Sequence, residues 1–225
     1  MSATAQANQQ QLGVVISPDY TSRTYTTAGT FQGTTILPEE GGRIGWRAGL
    51  DYHRRLGAQM WFHTGLRLVS YRNKTTIDDL RFGSELVDGV YVNDPSLPRR
   101  AVLQQSDRFV EIPLLVRYTF RPAEKLQPYV AGGLAAMLYR NTRTVARIDG
   151  GTPTRNTADA GAPRAQGAAI VAVGLSYTAR SPYRFFVQPT FRHHFVVRTN
   201  QLVRGGGFQR LPWAAGLEVG VRRGW

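Results

Sequence analysis

Phe109-Val110-Glu111-Ile112-Pro113-Leu114-Leu115-Val116-Arg117-Tyr118-Thr119-Phe120 carries the pattern from which the fold is read. Val110, Ile112, Leu114, Val116, Tyr118 and Phe120 share one parity, while Glu111 and Arg117 fall on the other. Successive side chains of a strand point to opposite faces, so this segment has an aliphatic face and an ionised one. The same split recurs along the chain. Ile44, Trp46, Ala48, Leu50 and Tyr52 alternate with Gly45, Arg47, Gly49, Asp51 and His53. Met60, Phe62, Leu66 and Leu68 oppose Gln59, His63, Gly65 and Arg67. Leu211, Trp213, Ala215, Leu217, Val219 and Val221 alternate with Pro212, Gly216, Glu218, Gly220 and Arg222.

Extended outward, the period predicts eight strands, at 11–26, 43–55, 59–77, 106–120, 128–145, 167–180, 184–199 and 211–223. The first alternates most weakly and is interrupted by Pro18. Connections fall into two classes that strictly alternate. Leu56-Gly57, Arg121 to Gln127 and Ser181-Pro182-Tyr183 are short, while 27–42, 78–105, 146–166 and 200–210 are long and polar or Gly-rich. A sandwich has no reason to gather every long loop at one end, whereas an outer-membrane barrel has short periplasmic turns and long external loops. Eight strands of about 9–11 embedded residues use on the order of 90 residues, which a chain of 225 supplies with loops to spare.

Composition sets the outer bounds. A hydrophobic fraction of 42% with 11% aromatics excludes disorder over most of the length. The absence of cysteine excludes disulfides, a Cys-based zinc site and a thiol nucleophile. The longest apolar runs, Leu126 to Tyr139 and Ala165 to Ala179, fall short of the roughly 18 residues of a spanning helix. The expectation is therefore an all-β fold, an eight-stranded antiparallel transmembrane barrel with up-and-down topology, over 11–225. Residues 1–10 are read as a signal-peptide remnant or disordered start, since Ala5-Gln6-Ala7 has the small-x-small form of a signal-peptidase site.

In a bilayer the aliphatic parity must face hydrocarbon and the ionised parity the lumen. That predicts an internal charge network of Arg47, Asp51, Arg67, Glu111, Arg117, Arg192, Glu218 and Arg222, with members pairing across the lumen. Tyr52, Phe62, Tyr118, Phe120, Tyr129, Tyr177, Phe185 and Trp225 are expected at the headgroup level of the turn end. A soluble lipocalin-like carrier is the opposite arrangement, with a hollow interior and a polar exterior.

The stretch Glu111-Ile112-Pro113-Leu114-Leu115-Val116-Arg117-Tyr118, followed by Pro128-Tyr129-Val130-Ala131-Gly132-Gly133, resembles the PorT-like outer-membrane barrels of Bacteroidetes-type bacteria. In that family an E-I-P-L-L-x-[KR]-Y strand leads through a short turn to a P-Y-x-x-x-G strand. The match covers two strands closely and the rest by architecture, similar in kind to small OmpA/OmpX-like barrels. It implies a bacterial outer-membrane, multi-pass protein with a periplasmic N-terminus, associated with secretion or envelope machinery. Leu217, Val219, Val221 and the terminal Trp225 resemble the signal read by the barrel assembly machinery, with Arg223 at a position that usually carries an apolar residue.

Catalytic chemistry finds no set of groups in the sequence. A lipid A-modifying enzyme needs a His and Ser converging on the outer rim, and His193-His194 is followed by Phe195-Val196-Val197 with no Ser two residues on. His53 and His63 flank a short turn at the other end, and adjacent His193 and His194 point to opposite faces, so no metal set or other cofactor is expected. The acidic loop 78–105 lacks the spacing of a calcium site. The formal net charge of +13 admits an anionic partner. Nucleic acid is not expected, because no nucleic-acid-binding motif is present. Arg99, Arg100, Arg143, Arg147, Arg204 and Arg210 fall in or beside the long loops and are candidates for contact with lipopolysaccharide phosphates or another envelope protein. The role expected is a structural or interaction one, with the lipid A-modifying enzyme and the lipocalin-like carrier as alternatives.

Overall fold

The computed structural model describes residues 10–25, 29–31, 34–36, 39–77, 85–87, 90–92, 100–148, 151–158, 165–180, 182–195 and 210–225. Eight long strands form the body: β1 (Gln10–Tyr25), β2 (Glu39–Arg55), β3 (Met60–Ile77), β4 (Ala101–Thr119), β5 (Leu126–Ile148), β6 (Ala165–Arg180), β7 (Tyr183–His194) and β8 (Arg210–Gly224). Each is antiparallel to the next, and β8 returns to β1 through pairs such as Val14↔Val221. The sheet closes into a barrel, and no helix occurs among the described residues.

Short turns at 56–59 and 120–125 and the turn residue Pro182 lie at one end, with Gln10 and Trp225. At the other end the long connections carry short hairpins, Gly29–Phe31 with Thr34–Ile36 and Glu85–Val87 with Val90–Val92. Thr154–Ala158 runs beside the outer part of β5.

Differences from the sequence reading are local. β1 alternates without a break, with Gln11, Val15, Ser17, Asp19 and Thr21 buried and Leu12, Val14, Ile16 and Tyr20 exposed. Its inward set is small and polar apart from Val15, which is why the alternation reads faintly. Pro18 interrupts only the β8 side, where pairing passes from Ile16↔Val219 to Asp19↔Gly216, while the β2 side continues through Pro18↔Trp46. β7 ends at His194, and residues 196–199, which the pattern assigned to that strand, lie outside the described residues. Residues 1–9 and most of the acidic loop lie outside them too.

Every strand turns an aliphatic side chain outward at mid-height. Ile16, Leu50, Leu66, Leu114, Leu134, Val173, Val187 and Leu217, one from each strand, are 38–62% exposed, whereas Arg47, Glu111 and Glu218 are 0% exposed. Soluble monomers rarely expose contiguous apolar patches beyond a few hundred Å². An apolar band around the whole circumference is the surface of a protein solvated by hydrocarbon. A lipocalin-like carrier has the reverse surface, and this barrel's interior is filled by side chains.

Two glycines show how tightly. A Cβ on Gly49 would lie 2.8 Å from Cγ of Arg67, and one on Gly13 would lie 2.7 Å from Cγ of Arg222. The arginine stems cross the floor left by these missing side chains. Arginine placed on the outward face at mid-height, as in Leu114→Arg, is expected to destabilise the barrel by about 2–4 kcal/mol. Reversible urea unfolding in phospholipid vesicles measures this, and Leu114→Ala serves as the apolar control.

Candidate functional site

Inside the barrel, inward positions of six strands bring ionised groups together. Asp19 comes from β1, Arg47 and Asp51 from β2, Arg67 from β3, Glu111 from β4 and Glu218 from β8, with Arg192 reaching in from β7. Arg47 Nη2 lies 2.6 Å from both carboxylate oxygens of Asp19, and Ser17 Oγ donates to Asp19 at 2.7 Å. Arg67 holds Asp51 through Nε and Nη2, each 3.0 Å from one oxygen.

Glu218 is the hub. Its Oε1 lies 3.0 Å from Arg47, 2.9 Å from Arg67 and 2.8 Å from Arg192. Its other oxygen accepts from Gln188, whose own oxygen accepts from Tyr129 at 2.7 Å. Glu111 faces the same three guanidiniums at 3.5–3.8 Å and acts on them by charge without a hydrogen bond. The buried ionised residues are Arg47, Arg67, Arg117, Arg192 and Arg222 against Asp19, Asp51, Asp107, Glu111 and Glu218. Among the described residues the buried cations and carboxylates are five each, so their formal charges balance and the net charge of +13 lies with the rest of the chain.

Above and below, the chemistry changes. One rung toward the long loops from Arg67↔Glu111 comes Val69↔Phe109. There Val69, Tyr71, Phe109, Met137, Ala168 and Ala214 close the lumen with an apolar layer. Toward the turns, Arg117 and Arg222 lie apart from the Glu111–Glu218 group, and pairing across the lumen does not extend to them. Arg117 lies over the Tyr129 ring at 3.6 Å and Arg222 over Phe186 at 3.7 Å. Aromatic faces take the place of anions, because Asp51, the carboxylate at this depth, is held at both oxygens by Arg67.

Tyr129, expected in the aromatic girdle, is fully buried in the lumen. The inward parity of β5 runs through Gln127, Tyr129, Ala131, Ala135 and Met137, so the ring faces Arg117 and Gln188 rather than lipid. Other residues of the turn end do face outward, including Tyr118, Phe120, Tyr177, Phe185 and Trp225.

The sequence reading left out Asp19 and the pairing of His53 with His63. Those two rings stack at 4.1 Å because the β2–β3 register sets them opposite each other. With Asp51 they form a group whose possible ligand atoms lie within 4.8 Å of one another. Asp51 is already bound by Arg67 and by His63 at 3.1 Å, and Arg222 acts on the same cluster. A hydrogen-bonded structural cluster describes it better than a cation site. His194 faces the lumen edge-on to Tyr71, with ring centroids 5.2 Å apart, while His193 is exposed on the outer face.

Among the loop arginines, Arg100 and Arg147 are exposed and Arg143 is half-buried on β5. Arg99, Arg204 and the side chain of Arg210 lie outside the described residues. Leu217, Val219, Val221 and Trp225 share the outward face of the last strand, with Arg223 exposed among them.

No protein-family model and no curated protein sequence matches the chain. Solved structures similar to it include the Neisserial surface protein NspA, at TM-score 0.47 and 12% identity over 97% of this chain and 99% of that one. OprG of Pseudomonas aeruginosa is similar at TM-score 0.49 and 9% identity over 100% of both chains. The outer membrane protein AlkL is similar at TM-score 0.47 and 11% identity, over 100% of this chain and 94% of that one. The closed eight-strand architecture rests on the strand pairings of this chain itself.

Glu218→Gln removes the negative charge that three buried guanidiniums share. The expected cost is about 3–5 kcal/mol in urea unfolding, larger than that of Glu111→Gln, because Glu111 makes no hydrogen bond.

Proposed function

We propose that this chain is a bacterial outer-membrane barrel that works as a structural and interaction module, not as a pore or an enzyme. The observation that carries the reading is the inversion of ordinary burial over all eight strands, with aliphatic side chains outward and a neutral ionised lumen. Closed barrels of this kind satisfy every backbone group without water, which lets them cross a bilayer. The turns and the termini face the periplasm in this reading, and the long loops face outward.

The lumen supports a scaffold over a channel. A passing ion meets the apolar layer around Val69, Phe109 and Met137 and then a network whose charges already bind one another. What remains for function is the outer surface and the loops. The PorT-like stretch at 111–118 and 128–133 favours an accessory subunit of an envelope or secretion complex as the specific form. Leu217, Val219, Val221 and Trp225 would be read by the barrel assembly machinery during insertion. Outer-membrane lipid, lipopolysaccharide included, would be the permanent surroundings, with Arg99, Arg100, Arg143, Arg147, Arg204 and Arg210 toward its phosphates or toward a neighbouring envelope protein.

The purified chain is expected to require detergent, to shift its gel mobility on boiling, and to give no stepwise conductance in planar bilayers. A monodisperse detergent-free monomer contradicts the membrane reading, and steady unitary currents contradict the plug. Gentle isolation of native envelope complexes followed by mass spectrometry tests the accessory role, which predicts a stoichiometric partner.

A further inference from the structure

The outer surface is not uniform around the barrel. On β3, β4 and β5 the outward aliphatic ladder ends at the rung Leu68–Val110–Leu138. Immediately beyond it, Ser70 pairs with Arg108 and Arg108 with Asn141, with Arg140 bulged out beside them where the register shifts. The next rung is Arg72–Ser106–Arg143, and the one after is Lys74–Gln104–Val145–Arg155. Directly paired residues share a face of the sheet. Three successive rungs therefore carry six cations on one facet. β3 and β5 contain no carboxylate, and the two on β4, Asp107 and Glu111, are buried on the lumen side. Among the described residues bordering the facet, acidic residues return on β2, where Glu39 and Glu40 pair with Thr76 and Thr75, and at Glu85 in the short hairpin of the β3–β4 connection.

The other side of the barrel is built differently. At the same end, Tyr20 of β1, Trp213 of β8 and Phe191 of β7 form a run of outward rings, with centroids 5.8 and 6.1 Å apart. That is an ordinary aromatic belt, content with any lipid headgroup. The facet on β3–β5 has arginine where those strands have rings.

We infer that this facet docks the phosphate groups of an anionic lipid in the outer leaflet, whose acyl chains lie along Leu68, Val110 and Leu138. The inference rests on the outer-membrane reading above and names the lipid-facing surface within it. Depth decides between lipid and an acidic protein. A rung of a tilted strand rises about 5 Å, so the three rungs lie about 5–15 Å above the last aliphatic one. That is the layer of headgroups and first sugars, where a protein partner would have to enter the membrane interface. Arginine suits the site because its planar fork binds phosphate oxygens in pairs. Diphosphorylated lipid A is the outer-leaflet lipid with this chemistry.

The test is native mass spectrometry of the full chain released from phosphatidylcholine nanodiscs doped with diphosphoryl lipid A or with its dephosphorylated form. The wild-type barrel is expected to retain the diphosphoryl lipid about tenfold better. Arg108→Gln/Arg140→Gln/Arg143→Gln is expected to lose that preference, while Arg54→Gln/Arg223→Gln, exterior arginines at the opposite end, keeps it. Equal retention of the two lipids by the wild type overturns the inference without needing any variant. Displacement of the lipid by millimolar inorganic phosphate also overturns it, since the site would then bind free phosphate. A wild-type chain that enters no bilayer at all refutes the membrane reading itself, whereas one that inserts with no preference refutes only the docking facet.

Discussion

Hydrocarbon does not tolerate an unpaired charge, and this constraint organises the rest of the molecule. Ionised groups within the membrane-spanning part of the strands must turn inward, where the cost of removing them from water is offset only by each other. Among the described residues the lumen meets the requirement chiefly by setting Arg47, Arg67 and Arg192 against Asp19, Asp51, Glu111 and Glu218. Glu218 is placed so that one oxygen serves three guanidiniums from β2, β3 and β7. Residues from different parts of the chain are thereby tied across the cylinder, in addition to the backbone ladders that tie neighbouring strands. Gly13 and Gly49 are part of the same device, because the stems of Arg222 and Arg67 pass where a Cβ on these residues would lie.

A second layer of organisation follows from the first. Once the carboxylates at one level are committed, the cations nearer the turns have no anion to meet. Arg117 and Arg222 settle on the faces of Tyr129 and Phe186 instead. Toward the long loops an apolar layer closes the lumen above the ion network, with Asp107 buried on its loop side. From turn end to loop end the interior runs cation on ring, ion network, apolar lid. Such an interior gives rigidity and leaves recognition to the exterior, where the net charge of the chain resides.

Most of the architecture could be read in the residues themselves. Alternation in 44–53, 59–68 and 109–120 separates the two faces, and the strict succession of short and long connections sets the order of the strands. β1 reads faintly because its inward residues, Val15 apart, are Gln, Gly, Ser, Asp and Thr, mostly small or polar groups that contrast poorly with a solvent-exposed loop. The partners inside the lumen were not legible, because pairing across a cylinder depends on stagger between strands that are distant in sequence. His53 and His63 meet only through the β2–β3 register, and Asp19 meets Arg47 only because β1 pairs with β2 at Ser17↔Arg47. Tyr129 was misplaced for a related reason. A tyrosine near a turn suits either a headgroup or a cation, and only the parity of β5 chooses. The basic facet was hidden in the same way, since its members come from three strands and Thr154–Ala158 and join only by register.

The direction in which the aliphatic set points is the central claim, and site-directed spin labelling tests it most directly. The chain has no cysteine, so single cysteines introduced from 110 to 118 carry the only labels. In liposomes, collision with lipid-soluble oxygen is expected to alternate with a period of two, high at 110, 112, 114, 116 and 118 and low at 111, 113, 115 and 117. The opposite phase, or high exposure to a water-soluble relaxant at the even positions, contradicts the account.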